Sequence, residues 1–179
     1  MKARFKTILL SALGAIAAFS AVTYTSCNSD KCKAIVCAYG GVCSDGACIC
    51  PSGYEGTQCE TISREKFLGV WMVLEKGTIS NTAQYPVSLE KGNSITEVKI
   101  KNFRNSFVDP VNAYVKNDTM YIPQQTVNNN TVEGIAYIQD DKYYGYHGKM
   151  IVRYKVKNNT NNLTDDFGLD LGEPSLWNK

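Results

Sequence analysis

A single histidine, His147, occurs among 179 residues, and all seven cysteines fall between residues 27 and 59. One imidazole excludes most zinc chemistry and most Ser-His-Asp triads, which need several placed partners. No cysteine follows Cys59, so the remainder must be held by a hydrophobic core, and about 100 residues suffice for one. No C-x-x-C pair is present to suggest a metal site. A basic excess is also missing. The first 26 residues carry Lys2, Arg4 and Lys6 and no acid, leaving sixteen basic against seventeen acidic residues. Such a chain has no surplus to neutralise phosphates, which argues against a nucleic-acid partner. No segment shows a 3.6-residue apolar stripe. Gly145 and Gly148 follow no strand–loop–helix pattern, so no phosphate loop is present. With 44% hydrophobic and 20% charged residues, a disordered polymer, a collagen-like fibre and a multi-span membrane protein are excluded.

What is present begins with an address. Residues 1–26 combine the basic Lys2, Arg4 and Lys6 with an apolar stretch from Thr7 to Val22. That stretch is about 16 residues, shorter than the roughly 20 of a bilayer span, and reads as a secretory signal. It ends in Tyr24-Thr25-Ser26-Cys27. Small residues directly before a cysteine resemble the lipobox of bacterial lipoproteins, although Tyr24 stands where leucine is usual. The resemblance implies lipidation of Cys27 and anchoring in the bacterial cell envelope, at the outer membrane. An ordinary cleaved signal that leaves Cys27 a free thiol is the other reading. Cysteine parity favours the first, since the remaining six are even in number. Residues 27–31 are then the lipidated cysteine and a linker.

Cys32, Cys37, Cys43, Cys48, Cys50 and Cys59 occupy 28 residues of an exported chain. So short a segment cannot bury a self-sufficient core, and it reads as a disulfide framework with fifteen pairings open. The spacing C-x4-C-x5-C-x4-C-x-C-x8-C, the Gly40-Gly41 pair before Cys43, and the closing Cys50-Pro51-Ser52-Gly53-Tyr54-Glu55-Gly56-Thr57-Gln58-Cys59 resemble an EGF-like domain over residues 32–59. The resemblance implies pairings Cys32–Cys43, Cys37–Cys48 and Cys50–Cys59. Asp45-Gly46 suits a tight hairpin turn. Calcium is not expected. The ion needs six to eight oxygen ligands, whereas the approach is Asn28-Ser29-Asp30-Lys31 and the loop between Cys43 and Cys48 has four residues.

From Ile62 onward the period is two. Phe67, Gly69, Trp71 and Val73 share a face, as do Tyr85, Val87 and Leu89, then Val98 and Ile100. Val111, Ala113 and Val115 follow, then Met120 and Ile122 before Pro123, which should close its strand or lie at an edge. Val132, Gly134, Ala136 and Ile138, then Met150, Val152, Tyr154 and Val156, complete the pattern. Turn residues separate the runs at Lys91-Gly92-Asn93, Asn117-Asp118, Asn128-Asn129-Asn130 and Asp140-Asp141. The expected fold is mainly β: an antiparallel up-and-down barrel of about eight strands over residues 62–157, with a two-sheet β-sandwich as the alternative.

The opening Lys66-Phe67-Leu68-Gly69-Val70-Trp71 resembles the G-x-W motif that begins lipocalin-like (calycin) barrels. That resemblance implies that Trp71 plugs one barrel end beneath a basic residue of the last strand, for which Arg153 is the candidate. Gly69, Trp71 and Arg153 form the barrel motif. The order of lipobox, EGF-like module and barrel is similar to that of uncharacterised bacterial surface lipoproteins. Residues 158–179 read as a polar, mobile C-terminal tail, with Leu169, Leu171, Leu176 and Trp177 as exceptions able to dock on the barrel. Asn117, Asn129, Asn158 and Asn162 start N-x-[ST] triplets, which a bacterial lipoprotein gives little reason to modify.

A catalytic reading would pair His147 with Asp140 or Asp141 and a nearby Ser or Tyr. The plainer reading is a strand or turn histidine packed among aromatics. Asp140-Asp141 and Asp165-Asp166 stand in expected turns, where acids are ordinarily solvated, so paired-carboxylate hydrolysis has little support. Tyrosine is the stronger pointer. Eleven occur, and Tyr143, Tyr144 and Tyr146 flank His147 in a possible recognition surface. Strict alternation would put Tyr144 and Tyr146 on one face and Tyr143 on the other. The function expected is non-catalytic: a lipid-anchored recognition or adhesion module for a protein or glycan, without metal or cofactor. The alternative is a carrier of a small apolar ligand in the barrel, and a glycan-degrading enzyme is the third reading.

Overall fold

The computed structural model describes residues 31–179. The signal segment 1–26, Cys27 and Asp30 lie outside the described residues. The chain begins with a small cross-linked module. Strands β1 (Val42–Ser44) and β2 (Ala47–Ile49) form a hairpin, and β3 (Tyr54–Glu55) pairs with β4 (Thr61–Ile62). Disulfides join Cys32 to Cys43, Cys37 to Cys48 and Cys50 to Cys59. The β1–β2 turn is Asp45-Gly46, both in the left-handed region at φ 51° and 87°, as a two-residue I′ hairpin requires. Asp45 is exposed and faces Lys31 at 3.6 Å. No free linker separates module from barrel. β4 runs into a 3-10 turn over Ser63–Lys66, and Ser63 N–H donates to Gly53 O at 2.9 Å.

The larger part is a closed antiparallel barrel, not a sandwich. Strands β5 (Gly69–Glu75), β6 (Ala83–Lys91), β7 (Glu97–Lys101), β8 (Val111–Lys116), β9 (Thr119–Val127), β10 (Asn130–Asp141) and β11 (Gly145–Asn158) pair in chain order. β12 (Thr164–Phe167) lines one edge of β11, and β13 (Ser175–Asn178) lies between β11 and β5 and closes the ring of eight. Alternation places Trp71, Val73, Tyr85, Val87, Leu89, Val98, Ile100 and Met150 inside, all buried. Phe103 and Phe107, from the β7–β8 loop, fold over the end remote from the module, where Phe103 packs 4.7 Å from Tyr154.

Two expectations require correction, and a third holds in one of its two forms. Residues 158–179 are not a polar mobile tail. Their Asn and Asp side chains make turns, while Trp177 enters the core at 1% exposure and its strand pairs on both edges. Phe167 and Trp177, each 1% exposed, outweigh the polar average, Trp177 because β13 meets two open strand edges, whereas Leu171 stays 69% exposed. Pro123 does not end its strand but lies on an edge, the other of the two places expected for it, since the ladder with β8 stops at Tyr121. β9 continues to Val127 through a register shift against β10, and beyond Tyr121 the Gln125 carboxamide bonds the Asn112 backbone in place of the ladder. Finally, Asp165 and Asp166 are 4% and 5% exposed in β12. Asp165 accepts N–H bonds from Ile79 and Ser80 and pairs with Arg104, and Asp166 accepts from Leu169, Asp170 and Leu171. Their carboxylates replace water with backbone donors and pin two loops.

Because Trp177 is a closing-strand core residue, Trp177→Ala should lower stability by about 3–5 kcal/mol. Chemical denaturation checks this; an unchanged midpoint would mean that 158–179 is dispensable to the barrel.

A cleft between the module and the barrel as the candidate functional site

The barrel end nearest the module is closed from the N-terminal side. The 3-10 turn presents Arg64, whose guanidinium donates to the carbonyls of Ser94 and Glu97, and Phe67, which is buried. Trp71 Nε1 donates to Phe67 O at 2.7 Å. Over the Trp71 ring lies Lys179, its ammonium 4.6 Å from the centroid, donating to Lys66 O at 2.7 Å. The basic partner of Trp71 is therefore Lys179, and burial lowers its pKa. Arg153 points outward on β11 and donates to Gly168 O at 2.9 Å. Met150, Val152 and Tyr154 face inward, and the same alternation that buries them turns Arg153 away.

Lys66 bolts the two parts together. Its side chain is 6% exposed, with Nζ 3.0 and 2.7 Å from the Glu55 oxygens and in direct contact with Asp118 Oδ1. Glu55 belongs to the module and Asp118 to the β8–β9 turn. Burial alone would lower the lysine pKa, but the hydrogen bonds and charges of the two carboxylates outweigh it and the pKa is raised.

Beside this junction opens a cleft of about 650 Å³. Glu55, Gly56 and Thr61 form its module wall; Asp118, Gln139 and Asp140 with Tyr146 and His147 form its barrel wall. The β10–β11 hairpin that carries the aromatics is pinned in three ways. Asp141 Oδ1 accepts the N–H groups of Tyr143 at 2.8 Å and Tyr144 at 3.2 Å, which hold its carboxyl below the usual range. Asp140 Oδ1 accepts the His147 N–H at 2.8 Å. At Gly148 a Cβ would lie 1.9 Å from Tyr144 O, so only glycine permits this approach.

The hairpin does not follow strict alternation. Asp141 pairs with Gly145 and Gln139 with Lys149, so three residues, Tyr146, His147 and Gly148, oppose Asp140 alone. His147 takes φ 51° in this bulge. Tyr143 and Tyr144 lie in the turn itself rather than on opposite strand faces. Tyr143 and Tyr146 are 85% and 79% exposed, and the Tyr146 and His147 rings stand 3.8 Å apart. Asp140 thus meets His147 through the backbone N–H; the two aspartates serve the hairpin's geometry.

The opposite end holds a second polar cluster that the sequence did not single out. Glu75 is 5% exposed inside the barrel. Tyr85 Oη, Tyr154 Oη and Ser175 Oγ donate to it, the last two at 2.8 and 2.6 Å, and Trp177 Nε1 donates to Ser175 Oγ at 2.8 Å. Burial, then the Glu75 charge, push both tyrosine pKa values up. An acid in the inward register of Trp71 and Val73 was the available signal.

No protein-family model matches the chain, and no curated protein shows significant similarity to it.

Lys66→Met should cost about 2 kcal/mol, less than a fully buried pair because Asp118 is largely exposed. A lysine pKa raised on folding adds stability that is complete below the unfolded value and is lost as pH rises through the folded one. The gap between wild type and variant should therefore narrow as denaturation is repeated from about pH 7 to above about pH 11. A constant gap would show that the ion pairs contribute nothing.

Proposed function

We propose that this chain is a lipid-anchored recognition protein of the bacterial envelope, with an EGF-like module and a lipocalin-like barrel that together form the binding cleft. The observation that carries the reading is the hairpin Tyr143–His147. It exposes large aromatic surface yet is held by Asp140, Asp141 and Gly148 rather than left mobile. An exposed tyrosine cluster on a fixed backbone offers contact area with few torsions left to freeze.

The remaining parts of the reading have their own support. The six cysteines of residues 32–59 are consumed in 1–3, 2–4 and 5–6 bridges, which leaves Cys27 as the odd thiol for acylation. Trp71 under Lys179, just after the last strand, is similar to the plugged end of lipocalin-like barrels. Recognition outside the barrel is favoured over carriage within it. Phe67, Trp71, Phe103, Tyr154, Phe167 and Trp177 fill the interior at no more than 1% exposure, whereas a carrier needs an internal space of roughly 300 Å³ or more. Asp140 and Asp141, the acids nearest His147, each give one oxygen to backbone N–H groups of the hairpin, which supports a role in holding its shape.

Two measurements test this. A fatty-acid label should enter the full chain and disappear in Cys27→Ser, which should leave the membrane fraction. Native mass spectrometry of the oxidised full chain should show the three bridges and no apolar adduct. A co-purifying apolar molecule released on unfolding would replace recognition with carriage, and a wild-type chain that takes no label would end the anchoring proposal.

A further inference from the structure

We infer that the module–barrel cleft is built for a neutral, hydroxyl-rich ligand, a glycan, with Tyr146, backed by His147, as its stacking wall. This rests on the cleft being the recognition site, and three observations carry the step to a ligand class.

The first is charge. Three carboxylates line the cleft, Glu55, Asp118 and Asp140, against one ammonium, Lys66. Glu55 and Asp118 both face Lys66, whose 6% exposed side chain is not free to leave them. An anionic ligand would meet the surplus carboxylates at close range, and a cationic one would have to compete with an ammonium already in place. With Glu55 and Asp118 committed to Lys66, the one carboxylate left over is Asp140, itself half engaged by the His147 N–H, too little for a charge-selective site and better suited to accepting hydroxyl groups.

The second is the set of groups on offer. Gln139 brings a carboxamide able to donate and accept, Thr61 a hydroxyl, and Asp140 an exposed carboxylate of which Oδ1 alone is used by the His147 N–H. Hydroxyl groups, each a donor and an acceptor, suit this mixture. Ile138 is the one aliphatic side chain in the lining, so an apolar ligand would leave most of these groups unpaired.

The third is shape. The Tyr146 and His147 rings, 3.8 Å apart and inclined at 39°, pack one over the other, so His147 backs Tyr146 and the 79% exposed tyrosine supplies the aromatic face beside the polar wall. The negative face of an aromatic ring attracts weakly positive C–H groups, and a sugar ring presents C–H groups on its faces and hydroxyls at its edge. The volume of about 650 Å³ lies within the range of small-molecule sites. The backbone behind this face is already fixed by Asp140, Asp141 and Gly148, so little ordering remains for the bound state.

The test uses the oxidised full chain in detergent. Titrations are made with three neutral trisaccharides (cellotriose, mannotriose and triacetylchitotriose), a sulfated trisaccharide and tri-lysine. At least one neutral trisaccharide should bind, with an affinity that changes little as salt is raised. Tyr146→Ala should weaken it about tenfold or more and Tyr146→Phe by much less, with the same thermal midpoint in all three proteins. Salt-sensitive binding of tri-lysine or the sulfated sugar alone would overturn the inference, as would neutral-sugar binding indifferent to Tyr146→Ala. Binding of none of the five would overturn it as well. A photo-crosslinking side chain at position 146 in intact cells separates that failure from a deeper one. Adducts there without sugar binding would spare the cleft as a recognition site, whereas no adduct and no binding would remove both proposals.

Discussion

Closure of the barrel depends on β13. Four residues, Ser175–Asn178, pair with β5 on one edge and β11 on the other, and without them both edges are open. The strand also completes the interior. Ser175 supplies one of the three hydroxyl groups that donate to the Glu75 carboxylate, and its oxygen accepts from Trp177 Nε1. A buried carboxylate is tolerable only when its lone pairs are met, and Tyr85, Tyr154 and Ser175 meet them from three different strands. The last residue, Lys179, then caps Trp71 and bonds Lys66. One short segment thus ties the polar centre at one barrel end to the plugged end at the other.

What could be read beforehand follows from the range over which each signal acts. Inward alternation along β10 and β11 is local, and Val132, Ala136, Met150 and Val152 are buried as the period of two requires. The Asp45-Gly46 hairpin is local as well. The misread features are long-range. Residues 158–179 look polar because the gain from Trp177 depends on two strand edges more than twenty residues away. Asp165 looks like a solvated turn acid because its partners, Ile79, Ser80 and Arg104, come from distant loops. Arg153 lies on the last strand that the sequence pattern makes visible, which is why it stands out as the Trp71 partner. Once β13 is the last strand, the role passes to Lys179.

The site shows the same division. Tyr143, Tyr144, Tyr146 and His147 were conspicuous as a cluster, and two of them, Tyr146 and His147, line the cleft. Their arrangement was not predictable, since a bulge of three residues against Asp140 breaks the alternation. The module wall was invisible for another reason. Glu55, Lys66 and Asp118 are each unremarkable surface charges in sequence, and only the docking of the module brings them together.

The two barrel ends differ in a way that bears on where a ligand can act. At the remote end, Phe103 and Phe107 are buried over the core and Arg104 is committed to Asp165 and the Phe167 ring. Charged groups there are already satisfied by one another, so opening that end would expose apolar rings and an unpaired buried acid together. At the module end the core is also sealed, by Phe67, Trp71 and Lys179, none of which lines the cleft, although Lys179 bonds the lining residue Lys66. A ligand of the proposed kind would therefore meet the cleft walls, with Ile138 the one core side chain that reaches them. A second folded unit set against a rigid barrel end makes a concave surface that neither half has alone, and Lys66 holds that surface in register.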